Sequence, residues 1–244
     1  MYQRRAYRQG MGDTRFSSIS LSVGESDVWI GYQGNADRSA LQQASATLLR
    51  RLRRELLDYG DPRLFTSFVP LHPKGELSEL LTSMFSAGER SGTGPMASVA
   101  GAIAERLGKH LKEQFGLSEI VVENGGDLYI DVLKPLSVQL FAPTSAFAGK
   151  LSVIVDPSYG PMGVCTSSGK IGHSVSFGKA DAVMVACNDA ALADAYATAY
   201  CNRVTRKEDV RKVCEALTQE EEVLSSVVVF EDMLAVGGCL KVGT

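Results

Sequence analysis

The sequence predicts an α+β fold in which helices lie on one face of an antiparallel sheet. Three observations carry this. Short β-like runs come in pairs around polar, glycine-containing turns. Stretches with apolar residues at helical spacing separate the pairs. The order of strands, helices and closing hairpin occurs in residues 14–133 and again in 134–244. The chain therefore reads as one domain, 1–244, made of two β-α-β repeat halves.

Phe16, Ile19, Leu21 and Val23 form the first run, and Val28, Trp29 and Ile30 the second, with Gly24-Glu25-Ser26-Asp27 as the turn. Asp37 opens a helix that runs to Leu57 with Leu41, Leu48, Leu49, Leu52, Leu56 and Leu57 as its apolar stripe. Arg50, Arg51, Arg53 and Arg54 form its solvated face. Gly60-Asp61-Pro62 ends it. A shorter helix spans Glu76 to Met84, and residues 86–95 read as a loop. Pro95 suits the first turn of the next helix, which extends to Phe115 and closes on Gly116. Ile120-Val121-Val122 and Leu128-Tyr129-Ile130 flank the turn Asn124-Gly125-Gly126-Asp127. In the second half, Val138–Phe141, Leu151–Val155 and Ala182–Ala186 read as strands, and 159–179 as a glycine- and serine-rich stretch. Helices follow from Asp189 to Asn202 and from Arg206 to Leu217, and Val227–Phe230 with Met233–Val236 make a closing hairpin.

Composition narrows the function. The chain has 244 residues, 45% of them hydrophobic and 22% charged, enough to bury a core and too many apolar groups for a disordered chain. Lys+Arg is 25 against 28 Asp+Glu, a net charge of −3, which excludes a dedicated nucleic-acid binder. Mean hydropathy is +0.00, and no apolar run approaches the roughly 20 residues of a membrane span. The basic start, Arg4, Arg5 and Arg8, is not followed by an apolar h-region, so a cytoplasmic protein is expected. Five cysteines without a CxxC fit neither a disulfide framework nor a structural zinc site. They read as free thiols, with Cys187 and Cys201 as small core residues. Glycine is abundant, 24 against 8 prolines, and gathers at 88–101, 125–126 and 160–178.

Those glycine stretches hold the candidate chemistry. Gly92-Thr93-Gly94-Pro95-Met96-Ala97-Ser98 fits a loose GxGxxA pattern, but a helix rather than a strand precedes it, so it is not a dinucleotide fingerprint. A helix start of this kind presents amides and a positive dipole end to a phosphate. In Glu123-Asn124-Gly125-Gly126-Asp127, the glycines let a ligand approach the backbone. Asp127 there suits a hydrogen bond from a heterocycle or a metal-bound water. The stretch from Gly163 to His173 is not a phosphate-binding loop, because five residues separate Gly163 from Gly169-Lys170 and Ile171 follows. Its hydroxyls suit a polar ligand. Cys165 and His173 have the types of a nucleophile and base, without a third orienting residue. Asp194 and Thr198, four apart in an alanine-rich helix, share a face and offer hard oxygens to Mg²⁺ or Ca²⁺. An ordinary capped helix, a plain hairpin turn and a solvated Asp–Thr pair would use the same residues.

In this order, the glycine-started helix of Gly94–Glu105, Asn124–Asp127, Thr166–Gly169 and Ala193-Asp194…Thr198 resemble the ApbE-like superfamily, named for FAD:protein FMN transferases. The resemblance covers roughly residues 90–202, and Gly-Pro-Met-Ala-Ser-Val-Ala-Gly-Ala-Ile-Ala-Glu looks like a short branch of it. It implies a duplicated T-fold with a site between its halves. Gly94, Met96, Asn124, Gly125, Gly126, Asp127, Thr166, Ser167, Ser168 and Gly169 would line a pocket for FAD or FMN. Asp194 and Thr198 would hold Mg²⁺ beside a diphosphate, with Asp127 and His173 as catalytic groups. Two elements usual in the transferases differ. Met96, Ala97, Ser98 and Ala100 stand where a Lys-Gly and an acid are expected, and only His173 matches a His-x-x-x-Asp-Pro-x-x-Gly segment. An FMN-transferase or pyrophosphatase-like enzyme and a binding module that keeps the pocket without the chemistry both fit. The expected partner is a nucleotide-like small molecule, with no nucleic acid and no membrane, and homo-oligomer formation is left open.

Overall fold

The computed structural model describes residues 15–170 and 178–243. Strands β1 (Ser17–Val23) and β2 (Ser26–Gln33) pair around a two-residue turn, Gly24-Glu25. Ser26 and Asp27, expected in the turn, therefore begin β2. Helix α1 (Arg38–Asp58) follows, with the Asp37 side chain accepting the Ala40 amide as its N-cap. Leu41, Leu48, Leu49, Leu52 and Leu56 are buried, but Leu57, placed on the stripe by the sequence, is 69% exposed. The spacing explains this, because Leu57 is one residue past Leu56 and points about 100° away on a 3.6-residue helix. Arg53 also leaves the solvated face, donating to Ser26 Oγ (3.1 Å) and pairing with Glu25, which clamps the first turn onto α1.

After the short α2 (Arg63–Thr66), helix α3 spans Glu79–Ser91, later and longer than the sequence suggests. Ser78 caps it by accepting the Leu81 amide (3.3 Å). Residues 86–91, expected as loop, are helical. Their small residues pack rather than break the helix: Ser91 Oγ donates to Ala87 O (2.7 Å), and the turn ends only at Gly92, φ 75°. A 3-10 turn at Pro95–Ser98 leads into α4 (Val99–Phe115), closed by Gly116 at φ 58°. Strands β3 (Glu119–Asn124) and β4 (Asp127–Asp131) form the hairpin, with Gly125 at φ 76° and Gly126 at φ 107°. Two consecutive positive φ angles are what a tight two-residue hairpin turn requires.

Strands β5 (Leu136–Gln139) and β6 (Ser152–Val155) precede β7 (Met162–Ser167) and β8 (Ala182–Cys187). Residues 162–167 of the glycine- and serine-rich stretch are thus strand. Helix α5 (Ala190–Cys201), helix α6 (Asp209–Leu217), β9 (Val223–Phe230), β10 (Met233–Gly238) and β11 (Lys241–Gly243) complete the described chain.

Eight strands form one antiparallel sheet in the order β1-β2-β3-β4-β7-β8-β9-β10, and β11-β6-β5 form a separate three-stranded sheet. The helices share one core with one face of the large sheet, as expected for the α+β class. The small sheet covers part of the other face in a second core that includes Trp29, Ile130, Val153 and Met184. Alternate residues of a strand serve the two cores. Val183 and Val185 face the helices, and Ala182, Met184 and Ala186 face the small sheet.

Helix α5 is buried along almost its whole length. Its alanines let neighbours approach closely, and two glycines complete the fit. A Cβ on Gly163 would lie 2.3 Å from Ala190 Cα, and one on Gly101 would lie 2.1 Å from Ala190 O. Gly163→Ala should therefore destabilise the protein by about 1–3 kcal/mol, a melting temperature lower by roughly 2–12 °C in calorimetry. Leu57→Ala should stay within about 0.5 kcal/mol. Equal effects from the two substitutions would contradict this packing.

Candidate functional site

Five elements, β3, β4, β7, α4 and α5, meet where β4 begins and β7 ends. Asp127 stands at the start of β4, directly after the Gly125-Gly126 turn. Its Oδ1 accepts the amide of Thr166 on β7 (3.2 Å). Asn124, at the end of β3, donates through Nδ2 to Ala100 O (3.2 Å), tying the turn to the start of α4. Glu123 closes the same turn by accepting the Gly126 amide (2.7 Å). From α5, Asp194 Oδ2 accepts the amide of Gly101 (3.0 Å).

Asp194 is buried, and its carboxyl is held well above the usual carboxylate range. Burial is the main cause, and the negative charge of Asp127 adds to it. The amides of Gly101 and Ala100 work in the opposite direction by donating to the charged form, without overcoming the first two. Two buried carboxylates thus lie near enough for the charge of Asp127 to act on Asp194. A cation between them would relieve both desolvation and repulsion. Thr198, one helical turn beyond Asp194 and half-buried, adds a hydroxyl oxygen to that side of α5.

Thr166 and Ser167 lie on β7, Thr166 half-buried and Ser167 buried. Ser168 and Gly169 follow the strand. Ser168 Oγ accepts the Lys170 amide (3.1 Å), and the Gly169 amide donates to Ala180 O (2.9 Å). Lys170 itself is engaged, with Nζ 2.9 Å from the buried Asp181 carboxylate. Met96 belongs to the 3-10 turn that packs on α5, and Gly94 immediately precedes that turn. Gly94 is buried, and a Cβ there would lie 1.8 Å from Ser67 O, so the glycine admits the 67–68 backbone. Met96 is half-buried against the main core. The start of α4, expected to offer free amides to a phosphate, instead gives the Gly101 amide to Asp194.

His173 lies outside the described residues. Its suggested partner, Cys165, is fully buried, and its Sγ donates to Ala190 O (3.5 Å). Burial, then the charges of Asp127 and Asp194, push this thiol up well above its ordinary pKa. A buried neutral thiol is a packing residue and not a nucleophile, so that reading is set aside. The five cysteines are free, four buried and Cys239 exposed.

One contact of consequence had no motif to announce it. Glu105 on α4 is buried, and its Oε2 accepts the amide of Ala190 (2.7 Å) while Oε1 pairs with Lys109 (2.5 Å). It caps the start of α5 from a neighbouring helix and so sets where Asp194 stands. The available signal was Gly101, since a glycine inside a helix costs about 1 kcal/mol relative to alanine and marks a close approach.

A sequence model of the family described as AbpE bacteria matches residues 8–235. The chain belongs to this family. A UPF0280 protein of Methanocaldococcus jannaschii is 37% identical over 190 residues, covering 77% of this chain and 76% of the relative. Another, from Methanopyrus kandleri, is 34% identical over 227 residues, covering 91% and 90%. Among solved structures, the flavin transferase ApbE from Vibrio cholerae superposes with a TM-score of 0.62 at 12% identity, covering 91% of this chain and 96% of that one. The ApbE protein of Thermotoga maritima gives 0.58 at 13% identity, covering 93% and 96%. At such identities the likeness establishes the fold, and the ApbE-like architecture is thereby shown. No helix among the described residues is long and apolar enough to cross a membrane.

The raised Asp194 group sets a pH signature for this ApbE-like chain. Its folded-state pKa lies above its unfolded one, so its contribution to stability is complete below the ordinary aspartate range, near 3.9, and is lost as pH rises through the folded value. With cations chelated, Asp194→Asn should remove that loss. The melting temperature of the wild type should fall relative to the variant between acid and mildly alkaline pH. Parallel curves across that range would contradict the assignment.

Proposed function

We propose that this chain binds a flavin nucleotide, or another nucleotide diphosphate, with Mg²⁺ and cleaves its phosphoanhydride. The observation that carries the reading is the meeting of the Asp127 and Asp194 carboxylates beside the glycine hairpin and the end of β7. The donor set fits a hard divalent cation: Asp194 and Thr198 would hold it, and water and the diphosphate would complete its shell. Among the described residues, no three His, Cys, Asp or Glu gather as a metal cage. A Mg²⁺ ion that keeps several waters and binds phosphate oxygens needs none. When bound, it would neutralise charge on the diphosphate and its leaving group.

The chain's own residues have separate tasks in this reading. Asn124–Asp127 and Thr166–Gly169 would line the ligand, and Asp127, already accepting the Thr166 amide, would orient it. Gly94 and Met96 would shape the wall next to α5, and His173 would serve as an acid. In hydrolysis, a water oxygen attacks phosphorus and the anhydride bond breaks, so FAD and water give FMN and AMP. In transfer, a protein hydroxyl replaces the water, its proton is lost, and FMN stays on the protein. The same reading takes 14–133 and 134–244 as related halves joined where β4 pairs with β7.

A second reading, a binding module without chemistry, is favoured by one observation. Lys170, the cation beside the Thr166–Gly169 segment, is committed to Asp181. This reading predicts stabilisation by FAD with Mg²⁺ and no turnover.

Incubation of the purified chain with FAD and Mg²⁺ should release AMP, with FMN either free or attached to protein. Asp194→Ala should lower the rate by about a hundredfold or more, as expected when a cation and its charge stabilisation are lost. An inactive wild type whose melting temperature rises with ligand leaves the binding module. A wild type with neither response refutes both readings.

A further inference from the structure

A concavity lies between α1 and α4. Its volume is about 450 Å³, and Gln43, Ala44, Thr47 and Arg51 of α1 face His110, Gln114 and Phe115 of α4 across it. It lies away from the acidic site. His110 is nine residues along α4 from Gly101, about 14 Å at 1.5 Å per residue. The volume falls within the usual range for small-molecule sites, roughly 300–1,000 Å³.

The one formally charged residue of the lining is Arg51, with His110 across from it, and no carboxylate lines the groove. Among the described residues Arg51 pairs only with Glu55, a half-buried neighbour one helical turn on, at 3.6 Å, and with Arg51 itself exposed the pair is of small energetic worth. Residues 43, 47, 50 and 54 are spaced by three or four, so Arg50 and Arg54 continue the Gln43–Thr47 stripe along the rim. Both are exposed. Among the described residues, no hydrogen bond engages the side chains of Gln43, Thr47, His110 or Gln114. The rest of the wall, Ala40, Ala44, Leu48 and Phe115, is apolar. In a chain of net charge −3, this is a local concentration of cations and open donors next to a half-buried aromatic ring.

We propose that this groove binds a small amphipathic anion, with a phosphate or carboxylate head on a planar apolar body. The Arg51 guanidinium, a rigid fork of donors, takes the head together with His110 and the two glutamines. Phe115 and the alanine wall take the body. The site is independent of the Asp127–Asp194 site.

Phenyl phosphate titrated into isotopically labelled full-length protein, followed by NMR, tests this. Benzoate and inorganic phosphate form separate arms. Saturable shifts are expected at 40–51 and 110–115, with phenyl phosphate or benzoate, whichever is tighter, naming the head. Arg51→Gln should weaken binding by about tenfold or more, the worth of one charge-assisted hydrogen bond. Ala44→Leu, which fills the groove, should weaken it similarly while leaving the melting temperature within a few degrees. Asp194→Asn should leave it unchanged. The proposal fails if shifts do not saturate, if both groove variants bind like the wild type, if Asp194→Asn abolishes the response, or if inorganic phosphate binds as tightly as the ring-bearing anions.

Discussion

The architecture depends on how closely helix α5 approaches its neighbours. Gly163 on β7 and Gly101 on α4 both give their missing Cβ space to Ala190, the first residue of α5. Side chains at either position would push the helix outward, because cores of native density have no spare room for an added methyl. From this one contact the rest follows. The helix sinks between the sheet and the helices α3 and α4, and almost all its residues are buried. Asp194, one turn further on, is carried inside with them. An acid at that position in an amphipathic surface helix would sit in water with an ordinary pKa. Here it reaches the amide of Gly101, the same glycine whose bare Cα admits Ala190.

The electrostatics of the site are a consequence of that seating. Two amides at the start of α4 and the favourable end of its dipole help a negative Asp194. Burial and Asp127 oppose it and prevail. A protein selected for stability alone would not keep two carboxylates buried together, since apolar residues of similar size are often as good or better there. A perturbed acid at a junction of elements is a common mark of functional sites. The same seating decides against Cys165. It lies on β7 beneath both acids, where burial and their charges keep the thiol protonated.

The sequence made the units of this fold legible and hid their assembly. Asp37 with the leucine stripe of α1, and Asn124-Gly125-Gly126-Asp127 between two β runs, are local signals with local causes, and both elements form where expected. The helix extension through Ser86–Ser91 was missed because glycine and serine read as breakers. Tertiary contact overrode that preference. Strand β7, residues 162–167, lay unmarked within a glycine- and serine-rich stretch, since Gly163, Thr166 and Ser167 lack the bulk of ordinary strand residues. The site was half legible. The types and order of Asp127, Thr166 and Asp194 pointed to it. The Glu105–Ala190 hydrogen bond, linking residues 85 apart, has no periodicity or motif to reveal it.

The alanines that let α5 sink also leave its position along its own axis only partly determined by packing. A methyl side chain buries little area, at about 0.8 kcal/mol per buried carbon, and successive alanines present nearly the same surface at each turn. On the faces made by Ala191, Ala195 and Ala199 and by Ala193 and Ala197, a slide by one turn would change the apolar contacts only modestly. Polar groups supply what packing does not. Asp189 caps the first turn by accepting the Leu192 amide, and Glu105 holds the Ala190 amide from α4. Towards the other end, the hydroxyls of Tyr196 and Tyr200 both donate to the Glu220 carboxylate. A slide of one turn, about 5.4 Å, would break the three bonds to Glu105 and Glu220 and carry Asp194 away from Gly101 and Asp127. Those three hydrogen bonds therefore act mainly as register marks. They select the one position along the groove between α4 and β7 in which the two acids meet.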